Sequence, residues 1–150
     1  MTGAALKCPR DGSALVLGRA HGIEIDRCET CKGAWYDRDE LALLEATVAD
    51  AEERQGTIDY AKRESALACP KCGARMRAFN YRAYNLELDA CPDEHGFWLD
   101  AGEAERVRAL MRERVRGLGR AARAQRAWAR DRRPGGGGVL DQLRDLFRGR

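Results

Sequence analysis

At 150 residues the chain has room for one ordinary domain or two very small ones, with a core modest enough that a staple would matter. Asp, Glu, Lys and Arg make up 34% of it, and no window approaches the roughly 18 apolar residues that would span a bilayer, which excludes an integral membrane segment. Met1 to Lys7 lacks the apolar run and cleavage site of a secretory signal, so the expected location is cytoplasmic. In a reducing compartment six cysteines are better explained as metal ligands than as disulfides. The net charge of +3 is unevenly spread: residues 1–102 carry 13 basic against 18 acidic side chains, and residues 103–150 carry 14 arginines against 6 acids. A polyanion would meet the second stretch first.

Taken in order, the chain opens with Cys8-Pro-Arg-Asp11-Gly12, and Ala14 to Gly18 is expected to pair with Ile23 to Arg27 across a turn at His21-Gly22. The alternation Ile23-Glu-Ile25-Asp has the period of a half-buried strand. After Cys28, Cys31 and Trp35, the pair Asp37 and Glu40 forms an acidic capping box that predicts a helix with Leu41, Leu44 and Val48 on one face. Residues 51–66 are polar and carry no motif, and they read as a helical or irregular linker. The pattern then returns. Cys69-Pro-Lys-Cys72-Gly73 leads to a hairpin of Met76 to Asn80 with Asn85 to Ala90, and Asp100 with Glu103 begins a helix facing inward through Val107, Leu110, Met111 and Val115. Gly117 and Gly119 are expected to interrupt that helix. Beyond them lie an Ala- and Arg-rich potential helix from Arg120 to Arg133, a hinge at Pro134 with Gly135 to Gly138, and a short amphipathic end from Val139 to Phe147, striped by Leu140, Leu143, Leu146 and Phe147.

The return is an internal repeat: Cys28 to Glu40 aligns without gaps to Cys91 to Glu103, matching Trp35 with Trp98 and Asp37 with Asp100. The organisation is therefore a first module over 1–50, a linker over 51–66, a second module over 67–116 and a basic tail over 117–150. Zinc takes four ligands in a tetrahedron, and two ligands on one tight knuckle supply half of it. The second module offers Cys69, Cys72 and Cys91 with either His95 or Glu94. His95 is favoured because neutral imidazole is the softer and commoner ligand, although Glu94 stands where Cys31 stands in the repeat. The first module offers Cys8, Cys28 and Cys31, with Asp11 at the position of Cys72; His21 is its rival but belongs to a hairpin tip. Two structural Zn2+ ions are expected, and iron-sulfur binding is disfavoured because neither module has four cysteines.

With these residues placed, the chain resembles the bacterial proteins that carry the transcription factor IIB-type zinc-ribbon domain, over roughly residues 6–45 and 67–105. The resemblance rests on Cys8-Pro-Arg-Asp-Gly, on the run from Gly22 through Cys28, Cys31 and Trp35 to Leu41, on Cys69-Pro-Lys-Cys-Gly and on Gly96-Phe-Trp-Leu-Asp100. It implies zinc binding and a zinc-ribbon fold, so the expected architecture is a small, metal-stabilised α+β fold of two tandem zinc ribbons, each a β-hairpin plus a helix, to which the residues beyond 116 add an Arg-rich helical or disordered tail. It also implies that Asp at the second knuckle position is a family variant, which favours Asp11.

Trp35 and Trp98 read as core residues packing hairpin against helix. The ribbons are too acidic to favour nucleic acid, reaching −7 with six thiolates and two Zn2+. The expected role is a non-enzymatic interaction module with a protein partner. A nucleic-acid-binding regulator acting through Arg120 to Arg133 is the alternative, and a thiol-redox protein using Cys69 and Cys72 ranks last.

Overall fold

The computed structural model describes residues 4–132. The expected helix end at Arg133, the glycine hinge at 134–138 and the amphipathic end at 139–147 lie outside the described residues. Strands β1 (Val16–Ala20) and β2 (Ile23–Arg27) pair from Val16↔Arg27 to Ala20↔Ile23. The turn at His21-Gly22 takes positive φ at both residues, 53° and 78°, which suits the twist of a two-residue hairpin. Strand β3 (Ala34–Asp37) follows, then helix α1 (Arg38–Ala46), whose first turn is closed by the Asp37 amide donating to Glu40 Oε2 at 2.7 Å. After β4 (Asp59–Ala68), the second module repeats the series as β5 (Arg75–Tyr81), β6 (Glu87–Ala90), β7 (Gly96–Leu99) and α2 (Glu103–Asp131).

Four of these elements depart from expectation. The stretch 51–66, read as a helical or irregular linker, contains most of β4, a strand that pairs with β5 along the outer edge of the sheet. Its exposed charges, Lys62, Arg63 and Glu64, hid a strand whose inward contacts are only Ser65 and Leu67. Helix α2 continues through Gly117 and Gly119 instead of stopping there, carried by the alanines and arginines around them. Strands β3 and β7 are short and buried along nearly their whole length, so they lack the alternation that marks a half-buried strand.

All seven strands form one antiparallel sheet in the order β1-β2-β3-β7-β6-β5-β4, and residues up to Val115 form one compact unit. The centre of the sheet is the pairing of β3 with β7, in which Trp35 lies opposite Trp98. Because these two residues are each other's repeat mates, the junction is a local two-fold axis. The modules meet as the halves of a homodimer would, each using the same surface.

Alternation across the pleat divides the core. Tyr36, Leu88, Leu99 and Phe79 face a layer built by Leu41 and Leu44 of α1 and Val107 and Met111 of α2. Trp35 and Trp98 face the other way, into a cluster with Leu15, Leu67, Met76 and four of the cysteines, and both are 0% exposed. Each indole lies against the partner module's glycine. A Cβ on Gly33 would strike the Trp98 ring, and one on Gly96 would stand 2.9 Å from Trp35 Cζ2 and collide with the Tyr36 carbonyl. Glycine is required there by proximity.

Polar contacts come in matched pairs, first within each module and then across the axis. Trp35 Nε1 donates to Asp37 at 3.3 Å and Trp98 Nε1 to Asp100 at 2.9 Å. Arg10 of the first module reaches Asp100, while its repeat mate Lys71 reaches Asp37 at 2.6 Å. The hairpin tips cross as well: His21 Nε2 lies 2.6 Å from Glu105 of α2, and Arg82 meets Glu45 of α1. Arg82 and Glu45 are both 2% exposed at their side chains. Arg82 donates to both carboxylate oxygens, at 2.9 and 3.2 Å, and to the carbonyls of Arg54 and Gln55, while Tyr81 donates to the same carboxylate.

Truncating one partner of this pair leaves a buried charge alone. Arg82→Ala should lower unfolding stability by about 3–5 kcal/mol, whereas Arg82→Met combined with Glu45→Leu should recover most of the loss; denaturant midpoints of the zinc-loaded proteins decide it. A second test concerns Glu103, whose carboxyl is pushed up to about 7 by burial, with Asp100 and Asp89 adding to the shift. The native state then holds its proton more tightly than the unfolded chain does. This group's contribution is full below its ordinary pKa and is lost as pH rises through about 7. The stability of Glu103→Gln relative to the parent should therefore rise between pH 5.5 and 8, and a flat difference in melting temperature would refute the assignment.

Candidate metal centres

Each centre is made of two knuckles presented at the ends of strands. In the first module the Cys8 amide donates to the Ser13 carbonyl and the Gly12 amide to the Cys8 carbonyl, a tight loop that needs the positive φ of Gly12, 77°. The loop at Gly73, φ 74°, repeats it around Cys69. The second knuckle runs from Cys28 to Gly33 directly into β3, so the strand that carries Trp35 also fixes Cys28 and Cys31.

The ligand atoms of Cys8, Asp11, Cys28 and Cys31 lie within 4.8 Å of one another, as do those of Cys69, Cys72, Cys91 and His95. Cys8 Sγ is 3.6 Å from Cys31 Sγ, Asp11 Oδ2 is 3.3 Å from Cys28 Sγ, and His95 Nδ1 is 3.3 Å from Cys91 Sγ. The alternatives lie elsewhere. His21 is engaged with Glu105, and Glu94 is engaged with Arg38 at 3.0 Å. The choice between Glu94 and His95 follows from the backbone: the left-handed residue of this knuckle is Glu94 (φ 61°) where the first module has Lys32 (φ 65°), one place later in the repeat. The turn therefore comes early and brings His95 to the thiols.

Burial pushes the Cys8 and Cys69 thiols up to about 12. At Cys28 and Cys91 burial acts in the same direction, but hydrogen bonds prevail and bring both below the ordinary thiol value: the Cys31 amide and Ser13 act on Cys28, and the His95 and Asp93 amides act on Cys91. Amides also reach sulfur from Arg10, Gly33 and Lys71, at 3.4 Å each. Amide donors around closely spaced thiols stabilise thiolates that a cation then neutralises. Asp11 is held ionised, at about 2, by the hydroxyl and amide of Ser13. All six cysteines are free, and three sulfurs with one harder donor in each group suit tetrahedral zinc. Ser13, which also lies 3.2 Å from Cys28 Sγ, was not legible as part of the site. Nothing in the sequence marks a serine two residues after Asp11 as its support.

The family model described as transcription factor zinc-finger matches residues 7–46 and 68–109, more than half of the chain. No curated protein and no solved structure matched. With the two ligand groups, this makes the chain a binder of two structural zinc ions.

A carboxylate is a poorer partner than thiolate or imidazole for a site of this softness. Release to a chromophoric chelator should be biphasic, with the first module's zinc leaving first, and Asp11→Cys should slow that fast phase while leaving the other unchanged. Equal release rates in the parent would remove Asp11 from the ligand set.

Proposed function

The chain belongs to the transcription factor zinc-finger family, and from that premise we propose that it is a non-enzymatic interaction module, in which two zinc ribbons make a rigid base and the C-terminal half of α2 engages a partner. The observation that carries this reading is a contrast in how the polar groups are used. In residues 4–115 the thiols are gathered into two four-ligand groups, both Trp rings are buried, and Arg10, Lys71 and Arg82 are spent on contacts between modules. In residues 116–132 every residue except Gly117 and Gly119 is exposed, and six arginines face one aspartate. Surface of that kind gives the fold little and suits binding.

A structural zinc with four protein ligands keeps no open position for substrate or water, which supports placing enzymatic activity last. The thiol-redox alternative, through Cys69 and Cys72, would start at Cys72, the one exposed thiol of its group. It predicts a thiol that reacts with a disulfide reagent while zinc remains bound.

The test compares the full chain with a version ending at Val115, assaying zinc content, thiol reactivity and crosslinked partners. Both should hold two zinc ions with thiols that react only as zinc departs, and only the full chain should crosslink. A fast thiol in the zinc-loaded protein would favour redox chemistry, and equal crosslinking by both chains would move the interaction surface onto the ribbons.

A further inference from the structure

Within the exposed part of α2, Arg116, Arg120, Arg123, Arg126 and Arg130 recur at intervals of three or four residues. At 100° per residue they fall within an arc of about 120° and extend along about 21 Å of helix. None of the five makes an ion pair with another described residue, and the only acid in the stretch is Asp131. The opposite side carries Leu118, Ala121, Ala122, Gln125 and Ala129, with Trp128 at its margin, 68% exposed and 6.0 Å from the guanidinium of Arg132.

We infer that this arginine face binds the phosphate backbone of nucleic acid, an inference that rests on the reading of α2 as the interaction surface and names its partner. Three features of the face select that partner class. First, protein interfaces are organised around a desolvated apolar or aromatic anchor ringed by polar groups, and only Gly119 and Ala127 share the arc with these arginines. Second, the cations repeat along a line, as backbone phosphates do, so that several can be neutralised together with release of their counterions. Third, the basic positions are all arginine, whose planar fork engages phosphate oxygens in pairs. A lipid surface is the poorer fit because the opposite side offers one leucine, one marginal tryptophan and alanines, a shallow apolar stripe for insertion between headgroups.

The experiment uses the full, zinc-loaded chain with three probes: a fluorescent mixed-sequence DNA duplex, poly-glutamate of similar charge, and vesicles containing anionic lipid. Anisotropy should show duplex binding that weakens with salt at a log–log slope of about −4.5, as expected for five phosphate contacts. The combined variant Arg120→Gln, Arg123→Gln, Arg126→Gln and Arg130→Gln should lose at least ten-fold in affinity while keeping two zinc ions and the parent's helical circular dichroism. Undiminished duplex binding by the arginine variant, a flat salt dependence, or vesicle binding without duplex binding would each overturn the inference. Poly-glutamate bound as tightly as DNA would overturn it too, while leaving α2 as the interaction surface.

Discussion

A ribbon of about forty residues has little core of its own, and this chain buries its two indoles where the modules meet, through the pairing of Trp35 with Trp98 across β3 and β7. Burying two such rings contributes about 5 kcal/mol each, comparable to the whole stability of a small domain. The burial exists only when both modules are folded, because each ring rests on the other's glycine. The crossed ion pairs of Arg10 and Lys71 and the crossed hairpin tips follow from the same axis. The zinc centres depend on it as well, since the strand that carries each tryptophan begins at the knuckle that carries two ligands.

Most of the local structure was legible. The turn at His21-Gly22, the capping boxes at Asp37 and Asp100 and the spacing of the cysteines are local signals, and the structure places hairpins, helices and ligand groups where they point. What could not be read was how the modules meet. The repeat in the sequence suggested two beads on a string, whereas the second use of each Trp motif is to pair with its own copy. No periodicity announces such a contact, because it lies between residues 63 positions apart. Strand β4 escaped for a related reason: its ten residues are shaped by the edge of β5, which they cover, with Ser65 reaching Asp89 and Arg63 reaching Glu87. Exposed charge and bulges are how an edge strand avoids further pairing, and they also disguise it as a loop.

Two departures from two-fold symmetry fall at the hairpin tips and at the metal centres. At the tips, Arg82 is sunk into a fully satisfied network while His21 makes one contact at the surface of α2. At the metal centres, Asp11 stands for Cys72 and the ring of His95 for Cys31, each accommodated by a local adjustment: the Ser13 hydroxyl in one case, a turn moved by one residue in the other. The ribbon scaffold tolerates these exchanges because the axis is fixed by the tryptophans and glycines, which are the same in both halves.

The connection between the halves has a further effect. Only the residues between α1 and β4 separate the first module from the second, and two binding surfaces joined by so short a tether see one another at an effective concentration in the millimolar range or above. Two separate ribbons related by the same axis would come apart on dilution. In this chain association is intramolecular, so the junction of the two modules does not depend on protein concentration.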